Sequence, residues 1–422
     1  MIGHAQIGGN QHPGSLRING ARLLGRLDEL GQLGLQPDGS CARLALTDED
    51  RAGRDLVVMW MRDLGLDVSI DAIGNVVAIW AVGEGAPVLI GSHIDTVRTG
   101  GRYDGNYGVL AGLAVIETCQ QAQILPSRPL AVGFFTDEEG ARFAPDMLGS
   151  LVFVGGLAVE EAHDIVAIDG ARLGSELERI GYLGPAPCPA PPPHAFVEVH
   201  IEQGPVLDAE GIQIGAVTGV QGISWQELTI VGQSNHAGTT PMSYRHDPGY
   251  VAAQVAVFVR QLARDFGGNQ VATVGKIDLH PNLVNVIAGR AVITVDLRNT
   301  DEQVLRAAEA SLAEFLVEVA AAEAVTISCR VLARFEPVTF DARIVDLVAS
   351  QASDAGLSVR RMPSGAGHDA QMLARVCPSG MVFVPSVRGI SHNPAEHTEA
   401  ADLEAGANVL LHVVLALAET EL

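Results

Sequence analysis

Positive charge is scarce in this chain. Its 422 residues carry 27 Lys plus Arg against 50 Asp plus Glu, a net charge of −23. A surface of that sign is repelled by phosphate backbones and anionic bilayers, which excludes nucleic acid and membranes as partners. Cysteine is sparse as well. Cys41, Cys119, Cys188, Cys329 and Cys377 are odd in number, scattered, and never in a C-x-x-C pair. A disulfide framework and a thiolate zinc site are therefore excluded, and a reducing cytoplasm fits. No apolar run reaches the ~18 residues of a membrane span. The N-terminus has no basic segment leading into an apolar one, so no signal peptide is expected. What the chain does have is length enough for two domains and 47% hydrophobic residues to fill their cores. Such a composition suits a soluble protein that handles small molecules.

Residues 1–15, rich in Gly, His and Gln, are expected to be poorly ordered. Helical signals run from Asn19 to Leu33, and Thr47 with Asp50 reads as a capping box opening a helix to Leu64. A hairpin turns at Gly74-Asn75. Buried strands are expected at Val88–Ile90, Pro129–Thr136 and from Phe196, alternating with helices such as Gly108–Cys119. This alternation indicates an α/β layer with ligands at the carboxyl ends of its strands. The proline-rich tract 184–194 reads as a rigid surface loop rather than a partner's polyproline ligand. From about Ala216 the order becomes β-α-β-β-α-β, that of a ferredoxin-like unit, before α/β texture returns. The fold class is α/β, with a discontinuous domain, 1–215 and 335–422, and an inserted α+β domain, 216–334.

The chemistry gathers at strand ends. His93 and Asp95 close a strand, and Asp104 follows in a glycine-rich turn. Asp95 is placed to orient the ring of His93. Glu138-Glu139 directly follows another strand, His200 ends a third, and His392 follows a fourth. Each alone has an ordinary explanation: a core histidine, a solvated helix start, a turn residue. Together they fit two metals sharing one carboxylate, the arrangement used for metal-assisted hydrolysis. Asp104 is the natural bridge, since a turn presents both its oxygens. Of the two glutamates only one need ligate; the other can hold the proton of the attacking water. Histidine and carboxylate without cysteine suit zinc, manganese, cobalt or nickel. Arg298 ends a strand and could clasp a substrate carboxylate; an ion pair with Asp296 or Asp301 is the competing reading. His236, in a glycine- and threonine-rich turn, could donate to a developing oxyanion.

Eight motifs make a resemblance specific: 91–97 (GSHIDTV), 103–109 (YDGNYGV), 136–143 (TDEEGARF), 200–205 (HIEQGP), 235–242 (NHAGTTPM), 296–298 (DLR), 365–370 (GAGHDA) and 389–396 (GISHNPAE). Over nearly the whole chain after residue 15 it resembles the hydantoinase/carbamoylase-type amidases of the M20 metallopeptidase superfamily. That group contains N-carbamoyl-L-amino acid hydrolases, allantoate amidohydrolases and β-ureidopropionases. The resemblance implies an M20-type metallohydrolase domain with an inserted ferredoxin-like lid and dimerisation domain. It implies two divalent ions, zinc first, with manganese, cobalt or nickel as alternatives. One would be held by His93, Asp104 and His200, the other by Asp104, Glu139 and His392. Glu138 would be the general base and Asp95 an orienting residue. Gln203, His236, Asn285, Arg298 and His368 would bind a small carboxylate substrate. A homodimer would form through the smaller domain, with His236 reaching the partner's site. The expected reaction is hydrolysis of an N-carbamoyl-L-amino acid to amino acid, carbon dioxide and ammonia. Allantoate and 3-ureidopropionate are close alternatives; a peptide, or a non-catalytic binding role, is a remote one.

Overall fold

The structure, a computed structural model, describes residues 16–422, so the expectation for residues 1–15 lies outside it. The chain forms two compact units, Met1–Thr218 with Phe340–Leu422, and Gly219–Thr339.

The first unit opens with α1 (Gly20–Gly31), whose Asn19 side chain caps Arg22 N. In α2 (Asp48–Asp63) the Thr47 hydroxyl accepts from Asp50 N. The return half of the capping box is absent: the Asp50 carboxylate takes Leu46 N at 2.7 Å and Arg54 Nε at 2.7 Å. A buried guanidinium outcompetes the local amide for that carboxylate. Strands β1 (Asp67–Ile70) and β2 (Val76–Trp80) pair antiparallel across a turn in which the Asp71 carboxylate accepts from Ile73 N and Asn75 N. Then come β3 (Val88–His93), α3 (Asn106–Gln121), β4 (Leu130–Phe135), α4 (Leu148–Phe153), α5 (Val159–His163), α6 (Leu173–Ile180), β5 (Ala195–Ile201), α7 (Val206–Glu210) and β6 (Ile214–Val220). The proline-rich tract is a loop pinned by backbone bonds from Ala186 N to Ile70 O and Ala190 N to Phe153 O.

In the second unit β7 (Gly222–Val231), β8 (Asn235–His236), α8 (Pro248–Phe266), β9 (Val271–His280), β10 (Val286–Ile287), β11 (Arg290–Asn299), α9 (Glu302–Ala322), β12 (Thr326–Phe335) and β13 (Val338–Thr339) follow. The order β12-β7-β11-β9 gives a four-stranded antiparallel sheet. Helices α8 and α9 bury Val251, Val255, Val259, Leu305, Leu312 and Leu316 against Leu228, Ile230, Ile293 and Val295 of that sheet. The apolar residues recur at helical spacing because only that stripe faces the sheet.

The chain then completes the first unit with α10 (Ala342–Asp354), β14 (Val359–Ser364), α11 (Asp369–Leu373), β15 (Ser379–Val384) and α12 (Ala400–Ala418). The central layer runs β1-β2-β4-β3-β5-β15-β6, with β14 also on β6. Its middle strands β4, β3, β5 and β15 are mutually parallel and wholly buried. Parallel strands buried on both faces read as unbroken apolar runs, as these do. Helix α12 corrects one expectation: by length and composition it could cross a membrane. It packs instead against α3, α10 and β15, and Leu403, Leu410, Leu411, Val413 and Val414 are sealed from solvent.

Candidate metal centre

All four parallel strands of the first unit end at one place. β3 ends in His93; β4 leads into Glu138 and Glu139; β5 carries His200; the segment after β15 carries His392. Asp104 lies in the turn that opens α3, at the centre of the group. His200 Nε2 is 3.1 Å from its Oδ1, His93 Nε2 is 3.6 Å from the same oxygen, and His392 Nε2 is 3.2 Å from Oδ2. His392 Nε2 is also 3.2 Å from Glu139 Oε2. Among the described residues three groups have metal-binding potential, His93–Asp104–His200, Asp104–Glu139–His392 and Glu198–His200–His368, and the first two share Asp104.

The rings are aimed. His93 Nδ1 is 2.9 Å from the Asp95 carbonyl and His200 Nδ1 is 2.8 Å from the Ile201 carbonyl. A carbonyl accepts only, so Nδ1 carries the proton and the Nε2 lone pair points into the site. Ligands ~2.0–2.1 Å from a tetrahedral cation stand about 3.3 Å apart, which is the spacing of these donors. Glu139 Oε1 is buried without a hydrogen-bond partner in the structure. Such an atom is costly unless a cation satisfies it. The donor set therefore fits two divalent ions of borderline softness.

Asp95 acts differently from the expectation. Its carbonyl, not its carboxylate, holds the His93 ring; the carboxylate Oδ1 is 3.9 Å from Nδ1. The carboxylate accepts from Glu138 N and Glu139 N, each at 3.3 Å. It thus aims the two glutamates. Glu138 Oε2 comes 3.4 Å from His93 Nε2.

The charges are tightly coupled. Burial opposes a charged Asp104, but the three histidines bonded to it hold its carboxyl well below the usual range. Burial likewise opposes a charged His93, and Glu138, Asp104 and Asp95 outweigh it, raising its pKa. Hydrogen bonds to Asp104 and Glu139 push His392 up to about 10. Burial lifts Glu138 well above the carboxylate range; His93 pulls it down, while Asp369, Glu139 and Asp104 add to the rise.

Gln203 and His368 sit close to this centre. Gln203 Nε2 donates to Asp104 Oδ2 at 2.9 Å, and its Oε1 is buried without a partner in the structure. His368 is 1% exposed, its Nε2 lies 2.8 Å from Ser364 Oγ, and its ring packs edge-on against His200 at 4.6 Å. It is a wall behind His200, not an open contact surface.

His236, Asn285 and Arg298 belong to the second unit. His236 Nδ1 accepts from Gly238 N at 3.0 Å and Thr239 N at 3.2 Å, so its exposed Nε2 carries the proton. Pairing of β8 with β10 brings Asn285 beside it, and Ala237 N bonds to the Asn285 carbonyl. Arg298 is elsewhere. Arg290 pairs with Val231, at the end of the sheet next to His236, whereas Arg298 pairs with Ile223 at the other end. Eight residues along a strand separate the two ends by about 25 Å. Arg298 makes the ion pair with Asp296 at 3.0 Å and lies 5.7 Å over the Trp225 ring.

Three supporting residues carried no assigned role in the sequence reading. Gly105, at φ +64°, has its Cα so near His93 that a Cβ would stand 2.5 Å from the ring. Arg43, fully buried, donates to the Ile94 carbonyl at 2.7 Å and to Asn106 Oδ1 at 2.8 Å, tying the β3 end to the Asp104 turn. Glu396 accepts from Tyr103 N and Asp104 N. Gly105 and Glu396 lay inside recognised motifs, 103–109 and 389–396, that did not show what either residue touches; an isolated arginine gives no signal.

Residues 89–416 match peptidase family M20/M25/M40. The chain is 40% identical over 405 residues to an N-carbamoyl-L-amino-acid amidohydrolase of Rhizobium meliloti, covering 96% of this chain and 97% of that one. It is 35% identical to the allantoate amidohydrolase of Escherichia coli, covering 92% and 96%. A crystal structure of a hydantoinase/carbamoylase family amidase from Burkholderia multivorans superposes with a TM-score of 0.93 at 44% identity, covering 97% and 100%.

Proposed function

The chain belongs to peptidase family M20/M25/M40, and from that premise we propose a two-metal amidohydrolase that cleaves N-carbamoyl-L-amino acids to amino acid, carbon dioxide and ammonia. The observation that carries this reading is the convergence of three histidine Nε2 atoms on the two oxygens of Asp104, at 3.1 to 3.6 Å. His93, Asp104 and His200 would hold one ion; Asp104, Glu139 and His392 the other. Zinc is the first candidate, then manganese, cobalt or nickel. Bound ions supply Lewis acidity toward the ureido carbonyl and the attacking water.

The remaining work falls to the chain. Glu138 takes the proton from water as it adds to the ureido carbon. It returns that proton to the leaving nitrogen, because an amide anion is too basic to depart unprotonated. Gln203 Oε1, without a protein partner, accepts from a ureido N–H. His236 presents Nε2–H toward the oxygen on which negative charge develops. Arg298 clasps the substrate carboxylate, exchanging part of its pairing with Asp296. His368 buttresses His200 and does not touch substrate.

His236 and Arg298 cannot serve one small substrate from a single chain. Ureido nitrogen and carboxylate are separated by a few bonds of about 1.3–1.5 Å each, far less than the ~25 Å between the two ends of the sheet. A homodimer through the second unit, acting as lid and dimerisation domain, resolves this: Arg298 of one subunit works with His236 and Asn285 from the other. Similarity to the Escherichia coli protein keeps allantoate as the second candidate; it too joins ureido groups to a carboxylate.

The test is ammonia release from N-carbamoyl-L-amino acids, allantoate and 3-ureidopropionate by protein of measured metal content. Dialysis against a strong chelator should abolish turnover, and a divalent ion should restore it. Full activity in verified metal-free protein would refute the metal reading. Release only from allantoate would move the assignment to the second candidate.

A further inference from the structure

We infer that Glu396 is the positioning residue that locks the Asp104 turn and the His392 segment into one metal-binding unit, an inference that rests on the two-metal reading. Glu396 is 6% exposed. Its Oε1 accepts from two successive amides, Tyr103 N at 3.1 Å and Asp104 N at 3.3 Å. Its Oε2 accepts from Ser391 Oγ at 3.0 Å, and that hydroxyl also lies 3.3 Å from Asp104 Oδ2. One carboxylate therefore holds the backbone of the bridging residue and, through Ser391, the residue just before His392. The fit is close: a Cβ on Gly101 would stand 2.1 Å from Glu396 Oε1, so the turn is wrapped directly onto the carboxylate.

The need for such a clamp follows from the chain. Asp104 and His392 are separated by nearly 300 residues, and each lies in irregular backbone. His93 and His200 have strand ends and backbone carbonyls to aim them. His392 has φ +54° and a side chain 48% exposed; among the described residues no carbonyl aims its ring, whose Nε2 lies 3.5 Å from Gln203 Nε2. The spacing between Asp104 and His392 must come from tertiary contacts: Thr99 Oγ1 donates to the His392 carbonyl at 3.1 Å, Gln203 Nε2 lies between the two side chains, and Glu396 with Ser391 joins the two backbone segments. Residues that orient metal ligands typically change metal affinity by 10–100-fold when removed.

The experiment uses the full chain, stripped of metal and titrated with Zn2+ and, separately, with Co2+. Stoichiometry, both dissociation constants, the Co2+ absorption spectrum and the thermal midpoint of the metal-free protein are read. Ser391→Ala should weaken the second ion about tenfold and leave the first unchanged. Glu396→Gln should be milder: the amide oxygen still takes the two backbone donors, and the amide N–H can donate to the Ser391 hydroxyl, so the second ion should weaken less than in Ser391→Ala. Glu396→Ala frees the Asp104 turn and should weaken both ions 10–100-fold, with a changed Co2+ spectrum. Wild-type dissociation constants and spectrum in Glu396→Ala, with only a lower metal-free midpoint, would make Glu396 a stability residue and overturn the inference. If the Ala variant fails to fold, a wild-type value for the second ion in Ser391→Ala overturns it equally. Wild-type protein that binds no second ion would instead remove the two-metal premise.

Discussion

Glu138 and Glu139 are chemically identical neighbours to which different tasks are assigned, and exchanging one atom at Glu138 separates them. Glu138→Gln retains the shape of a side chain whose oxygen stands 3.4 Å from His93 Nε2 and whose backbone is held by Asp95. Neither contact requires the charge. The amide cannot accept a proton, so the loss should be that of general acid–base assistance, about 10²–10⁴ in rate. Taking the middle of that range, kcat should fall ~10³-fold, about 4 kcal/mol of transition-state stabilisation, with KM nearly unchanged. Both metals should remain. Because burial already disfavours the charged form of Glu138, the neutral amide should leave the metal-free protein at least as stable as the parent. Glu139→Ala, by contrast, removes an oxygen 3.2 Å from His392 Nε2 and should lower metal occupancy. Steady-state kinetics and elemental analysis on the same preparations decide the matter. A Glu138→Gln protein near the parental rate refutes the proton role; one that loses metal while Glu139→Ala keeps it reverses the two assignments.

Other outcomes follow from the geometry. Arg298→Lys keeps the charge but loses the planar fork, so kcat/KM for a carboxylate substrate should drop at least tenfold, about 1.4 kcal/mol, and far less for its amide; equal losses on both would leave Arg298 as the structural partner of Asp296. Mixing inactive His236→Ala with inactive Glu138→Ala under subunit exchange should restore activity through heterodimers with one intact site; none, in heterodimers shown to have formed, argues against sharing. Gly105→Ala places a Cβ 2.5 Å from the His93 ring at φ +64° and ψ −50°, which should cost about 1–3 kcal/mol of backbone strain and weaken metal binding about 10–100-fold. Parental affinity in a metal titration of that variant would show that the His93 ring can yield without consequence.

The ligand residues were legible because strand ends are legible. Apolar runs at Val88–Ile90 and Pro129–Thr136 stop where a His or an acidic pair begins, and the parallel sheet gathers those stops at one edge. The start of α2 was legible for the same local reason: Thr47 caps it through its own side chain. What the sequence hid lies in contacts made across long stretches of chain. Nothing near Arg43 announces that its guanidinium will reach Ile94 and Asn106, and Asp50 left its expected partner for Arg54. Glu202, on the same strand face as His200 by alternation, instead turns to cap Val206 N and Leu207 N, because β5 ends at Ile201. The short helices between Leu148 and Ile180 are too brief for periodicity to reveal.

The two inner histidines are steadied by main-chain oxygens, those of Asp95 and Ile201. A main-chain oxygen is supplied by every amino acid, so no side-chain replacement at either position deletes the group that aims the ring. Vulnerability shifts to backbone direction: substitutions that turn the peptide planes at these strand ends should damage the centre more than substitutions that merely change their chemistry. How His93 and His200 are aimed is thus set by backbone conformation, while the Asp95 carboxylate remains a separate constraint through its bonds to Glu138 N and Glu139 N.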